Sequence, residues 1–178
     1  MNICVFCASN RAIGRRFDEE ARLLGQFIAE NGHTLVYGGA TGGLMDVLAE
    51  AARTAGGKVI GVVPKRIVAM GRKSDLPTQL FVVDDMSERK EQMKKLADVF
   101  VVLPGGIGTY DELFDALASG MVGYHRKPLM LVNTDNFYDG ILTQLDRMTA
   151  DRLGEMSRTA GFRVCNSATA CIAWLQTL

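Results

Sequence analysis

The sequence has 178 residues, 48% of them apolar and 22% charged, with 20 Lys plus Arg against 20 Asp plus Glu. That length suits one domain, 1–178, with a core of its own, and the composition excludes disordered and fibrous classes. A net charge of zero gives no electrostatic reason to expect a nucleic-acid polymer or an anionic membrane as partner.

From the N-terminus, residues 2–8 (NICVFCA) read as a first strand. No apolar stretch in the chain nears the roughly 18 residues a membrane span needs. The opening MNICVFCASN lacks the basic segment of a signal peptide, so a cytosolic, cytoplasmic protein is expected. Cys4 and Cys7 have C-x-x-C spacing. Side chains three apart on a strand face opposite sides, however, so buried thiols in a reducing compartment fit better than a redox pair or metal half-site.

Residues 17–31 place Ala21, Leu24, Phe27 and Ile28 on one helical stripe, stopped at Gly32. A strand at 33–37, a helix at 43–55 ending on Gly56 and Gly57, and a strand at 58–63 follow. The stretch 64–79 (PKRIVAMGRKSDLPTQ) carries four basic residues between Pro64 and Pro77 and shows no element of its own. It reads either as a mobile surface connection or as a lid over a site. Strands at 80–84, 98–103 and 128–133 then alternate with helices at 86–96, 109–121 and 137–149. A weaker strand at 161–165 and a helix at 167–177 close the chain. Continuous apolar strands alternating with helices predict an α/β fold: a doubly wound, mostly parallel sheet with helices on both faces.

In such sheets ligands bind beyond the carboxyl ends of the strands. Two glycine-rich turns fall there, YGGATGGLMD (37–46) and PGGIGTYDE (104–112). Bare backbone running into a helix start suits a phosphate. Neither turn has the G-x-G-x-x-G or G-K-[ST] spacing, which argues against dinucleotides and ATP hydrolysis. Thr109 and Glu112 also have the spacing of a capping box. A cap needs none of Gly105, Gly106 and Gly108, though, and three glycines suggest a backbone that something approaches. In VDDMSERK (83–90), Ser87 reads as a helix N-cap. It would put Arg89 and Lys90 in the first turn, where cations oppose the helix dipole. That conflict marks either a functional site or a solvated face paired with Glu88 or Glu91. His33 and His125 are isolated, so no metal cluster is expected.

The segments ICVFCAS, TLVYGGATGGLMD, GGKVIGVVP, VVDDMSERK, LPGGIGTYDEL and KPLMLVNTDNFYDGIL together resemble the Lonely Guy (LOG) family of cytokinin-activating phosphoribohydrolases, from residue 3 to about residue 149. The resemblance implies a Rossmann-like fold, usually a homodimer with sites near the subunit interface. It also implies hydrolysis of a nucleoside 5′-monophosphate to free base and ribose 5-phosphate without a cofactor. Arg89 and Glu112 correspond to the family's catalytic pair, and Gly105, Gly106, Gly108 and Thr109 to its phosphate loop. Lys90, Ser9, Gly39 and Met86 are further substrate-binding candidates. Whether Arg89 binds phosphate or holds Glu112 ionised stays open. The chain departs from the family pattern at Ala40, Asp46 and Ser87 and over 118–123 (ASGMVG), the last a region that helps shape the family's base pocket. A nucleotide or phosphorylated-cofactor carrier on the same scaffold is the alternative. Lysine decarboxylation, a label attached to such sequences, lacks the setting of a Schiff-base lysine.

Overall fold

A computed structural model describes residues 1–13, 15–153 and 161–178. Seven strands form one sheet: β1 (Asn2–Phe6), β2 (Thr34–Tyr37), β3 (Lys58–Pro64), β4 (Gln79–Val83), β5 (Val99–Val102), β6 (Leu129–Val132) and β7 (Phe162–Cys165). Their order is β4-β3-β2-β1-β5-β6-β7 and every pairing is parallel, so the expected mostly parallel sheet is wholly so. Strands β1 and β5 are buried along most of their length, which explains their unbroken apolar runs.

The helices are α1 (Asp18–Glu30), α2 (Gly43–Thr54), α3 (Lys65–Ala69), α4 (Met86–Leu96), α5 (Ile107–Met121), α6 (Asp139–Ala150) and α7 (Ala168–Leu175). Side chains of α1, α2 and α7 pack with Ile3, Val5 and Leu35 on one face of the sheet. Those of α4, α5 and α6 pack with Cys4, Phe6 and Phe100 on the other. Cys4 and Cys7 fall into these two separate cores, so strand alternation keeps the thiols apart. Burial pushes the pKa of both thiols well above the ordinary value.

The chain runs outward from β1 to β4 and then returns to lay β5 against the other side of β1. The C-terminal ends of β1 and β5 therefore flank the switch point, where an open α/β sheet leaves a crevice.

Three local expectations need correction. Ser87 is not the cap of α4: Asp85 is, its carboxylate accepting from the N–H groups of Ser87 and Glu88 at 2.8 and 2.9 Å. Asp caps as well as Ser does, and here the earlier acceptor takes the free donors. Thr109 and Glu112 form no capping box. Gly106 is the N-cap and α5 starts at Ile107, so both residues lie inside the helix and are buried. The stretch 64–79 is not structureless. It opens with α3 and then forms an antiparallel bridge between Ala40 and Lys73.

Candidate active site

A cavity of about 870 Å³ opens at the switch point, within the size range of small-molecule sites. Its walls come from the ends of five neighbouring strands. Residues 7–11 follow β1, Gly38 and residues 40–42 follow β2, Pro64 ends β3, and Ile67 and Arg72 follow it. Met86 and Arg89 follow β4, and Gly106 to Thr109 with Glu112 follow β5.

At its floor Arg89 and Glu112 form an ion pair, Nη1 to Oε1 at 2.7 Å, with side chains only 6% and 2% exposed. The two arrive from successive helices, each within the first two turns of the helix that follows a strand. Arg89 is fixed a second time by its Nε donating to the carbonyl of Val62 at 3.1 Å. Against its terminal nitrogen lies Gly38, where any Cβ would overlap the guanidinium. The Arg89 nitrogen meets Glu112 Oε1 as a charge and not along a hydrogen-bond direction, so among the described residues this buried oxygen lacks an aligned donor. Burial raises the carboxyl pKa of Glu112 above the ordinary range, and the nearby Arg89 charge lowers it by less than burial raises it.

The start of α5 forms one wall. No side chain caps it, which leaves the first-turn N–H groups for a ligand. At Gly106 and Gly108 a Cβ would meet nothing, so bare backbone faces open space. Gly105 has another reason to be glycine: a side chain there would overlap Thr109 Oγ1, and Gly105 itself does not line the cavity. Thr109 is buried and lines the wall.

Of the ten residues expected at a site, seven border this cavity: Arg89, Glu112, Gly106, Gly108, Thr109, Ser9 and Met86. Three do not. Lys90 turns to α5, where its Nζ meets Asp111 at 2.7 Å and Asp115 at 3.7 Å. Gly39, at φ 64°, packs on the backbone of Gly61 and Val62. Gly105 lies beneath Thr109. Residues 118–123 do not border the cavity either, so within one chain they shape no base pocket. Ala40 lines the cavity without a positive φ, so a Cβ is accommodated where the family carries glycine.

Sequence reading missed Arg72, Arg11, Gly38 and Thr41. The four basic residues of 64–79 were the only signal for Arg72, and nothing local distinguished it from Arg66 or Lys73. The stretch that carries it is a tethered wall and not a mobile connection. Thr41 N–H donates to Arg72 O at 2.8 Å, and Ser74 N–H donates to Gly39 O at 2.9 Å.

A protein-family model described as "Possible lysine decarboxylase" matches residues 45–175. The cytokinin riboside 5′-monophosphate phosphoribohydrolase of Rhodococcoides fascians is 34% identical over 177 residues, covering 99% of this chain and 89% of that protein. An Arabidopsis thaliana enzyme of the same name is 35% identical over 176 residues, covering 99% and 81%. Relatives from Oryza sativa subsp. japonica are 38–39% identical, and the chain spans 63–67% of their length, about two thirds. Among solved structures, the molybdenum cofactor carrier protein of Chlamydomonas reinhardtii superimposes with a TM-score of 0.75 at 25% identity, over 99% of this chain and 96% of that one. A structural-genomics target superimposes at 0.79 with 20% identity over 99% of both chains, a likeness of fold alone. The cavity walls contain no lysine among the described residues, so the decarboxylase label finds no Schiff-base nitrogen there. With its paired Arg89 and Glu112 under an uncapped glycine-rich helix start, the chain belongs to the LOG family.

Proposed function

We propose that this protein hydrolyses the N-glycosidic bond of a purine or cytokinin-type nucleoside 5′-monophosphate, releasing free base and ribose 5-phosphate. The observation that carries the reading is the buried Arg89–Glu112 pair beside the open start of α5. The names of the relatives support the same reaction.

The substrate phosphate sits against the N–H groups of Gly106, Ile107 and Gly108, with the Thr109 hydroxyl beside it. That places the sugar over Glu112. Leaving of the base passes through an oxocarbenium-like state, which an adjacent carboxylate stabilises. Glu112 takes a proton from water as the oxygen bonds to C1′ and gives it up through solvent to the departing base nitrogen, so the hydroxyl ends on the sugar, the proton on the base, and the carboxylate is ionised again. The role of Arg89 follows from its contacts: it is held at Val62 and at Glu112, so it keeps the carboxylate ionised against the cost of burial. Met45, Pro64, Ile67 and Met86 give the remaining wall an apolar surface suited to a base.

The active form is a homodimer. Ile107, Phe114 and Met121, spaced seven apart on α5, are 85%, 37% and 39% exposed, and Val122 and Tyr124 continue the apolar strip. Ile107 also borders the cavity, which puts the strip at the mouth of the site.

The likeness to a molybdenum cofactor carrier favours a second reading, binding without turnover. Purified protein incubated with nucleoside 5′-monophosphates, with free base read by mass spectrometry, tests both. Wild-type turnover that Glu112→Gln abolishes while binding persists supports the hydrolase. Binding without product from any substrate supports the carrier.

A further inference from the structure

The turn from β5 into α5 carries little support of its own. Gly105, Gly106 and Gly108 leave its backbone free to vary, and no side chain caps the helix it enters. What fixes it comes from elsewhere in the chain. Leu103 N–H donates to Phe6 O at 2.9 Å and Ala8 N–H donates to Pro104 O at 3.2 Å, both on the β1 side. On the other side the pairing of β5 with β6 ends at Val102 and Leu131, short of Leu103. There the Leu103 carbonyl accepts from the Tyr138 hydroxyl at 2.7 Å.

Tyr138 is fully buried and is itself held. Its N–H donates to Asn133 Oδ1 at 2.6 Å, and Asn133 Nδ2 donates to Asp139 Oδ1 at 2.8 Å. Its ring meets Phe137 edge to face at 4.9 Å and Tyr110, in the first turn of α5, at 5.6 Å. Burial pushes the phenol well above its ordinary pKa and the Gly105 backbone pulls it back by less, so the hydroxyl remains a donor at any working pH. One side chain thus grips the turn twice, by its hydroxyl before the glycines at 105 and 106 and by its ring after Gly108. Core filling alone would need only the ring. The hydroxyl goes to the last carbonyl before the proline and glycines of the loop.

We propose that Tyr138 is a positioning residue for the substrate phosphate, fixing the turn from β5 into α5 so that the N–H groups of Gly106, Ile107 and Gly108 converge on one anion. The proposal rests on the hydrolase reading only for the place of the phosphate at α5. Tyr138 does not border the cavity, so it touches neither sugar nor base and acts through the backbone. Hydrogen bonds to the phosphate hold substrate and transition state alike, so weakening them raises KM and spares kcat.

Tyr138→Phe keeps the ring and its contacts with Tyr110 and Phe137 and removes one oxygen. Ile28→Val, in the core on the opposite face of the sheet, controls for a loss of stability alone. The measurements are KM and kcat for a nucleoside 5′-monophosphate and the Kd of ribose 5-phosphate by calorimetry. In Tyr138→Phe, KM and Kd are expected to rise together by about tenfold, the worth of one misaligned charge-assisted hydrogen bond. Its kcat is expected to change by less than about twofold, and Ile28→Val to match wild type in all three. Wild-type KM and Kd in Tyr138→Phe, a fall in kcat with KM unchanged, or the same changes in Ile28→Val would overturn the role and leave the hydrolase reading intact. Wild type that binds ribose 5-phosphate and releases no base removes the hydrolase reading, and the Kd of Tyr138→Phe then decides the role by itself. Wild type that binds no ribose 5-phosphate leaves Tyr138 nothing to position and overturns the role outright.

Discussion

At the scale of single residues, the proposed chemistry depends on a carboxylate that the protein makes hard to ionise. Glu112 is 3% exposed, and burial outweighs Arg89 in setting its pKa. As a base it must be ionised, so kcat/KM should fall as pH drops through a value above that of an ordinary glutamate. Arg89→Met removes the lowering influence, and the acid limb of the pH profile should move to higher pH. A limb that stays put or moves down contradicts the tuning role. Linkage adds a stability test. The folded pKa is raised, so the contribution of Glu112 to stability is full below its unfolded pKa and is lost as pH rises through the folded one. Urea unfolding of wild type and Glu112→Gln at several pH values should therefore show the difference shifting in favour of the Gln variant as pH rises. Gly38→Ala tests the floor from the other side: its Cβ overlaps Arg89 Nη2, and a loss of tenfold or more in kcat/KM is expected from displacing a positioned group. Several of these residues were legible in the sequence because their types conflict with local rules, as do three glycines beside a helix and a cation near a helix start. Arg72 and Gly38 were not, because their significance lies in contacts with segments more than twenty residues away.

At the scale of elements, α4 and α5 carry the buried Arg89–Glu112 pair, and the contacts between them hold it. Lys90 meets Asp111 and Asp115, and Lys94 meets Asp115 at 2.7 Å and the Ser119 hydroxyl at 3.0 Å. These groups are partly exposed, so each pair contributes at most about 1 kcal/mol. Asp115→Ala, which removes a carboxylate shared by two lysines, should lower stability by about that amount. Thermal or urea unfolding checks it, and no change would show the network to be a surface feature only. Unbroken apolar runs bounded by glycine, proline and charged segments made every strand and every long helix readable. The cap of α4 and the start of α5 were misread, the extent of α4 was not. Asp85 stands two residues ahead of Ser87, and Gly106 caps α5 through its backbone with no side chain to announce it. The stretch 64–79 concealed α3 and its bridge to Ala40, since a five-residue helix and a single bridge leave no periodic trace.

For the whole molecule, the sheet order places the cavity. Strand β1 is central, β5 returns beside it, and five strand ends converge on one crevice. Alternation of strands and helices announced the parallel sheet, but not which strand ends would meet, because order within a sheet is a long-range choice. The apolar strip on α5 is a matter for the assembly. Phe114→Glu combined with Met121→Glu should turn a dimer into a folded monomer by sedimentation, and a wild-type monomer at micromolar concentration would contradict the homodimer. No helix among the described residues is long and apolar enough to cross a membrane. The reaction itself is tested most directly by incubating wild type and Glu112→Gln with nucleoside 5′-monophosphates and following free base together with ribose 5-phosphate. Equal amounts of the two products from wild type, with a loss of at least a hundredfold in the Gln variant and substrate binding retained, is the expected result. Comparable turnover by the two proteins, or no base released by wild type, would contradict the assignment of Glu112 and the reaction built on it.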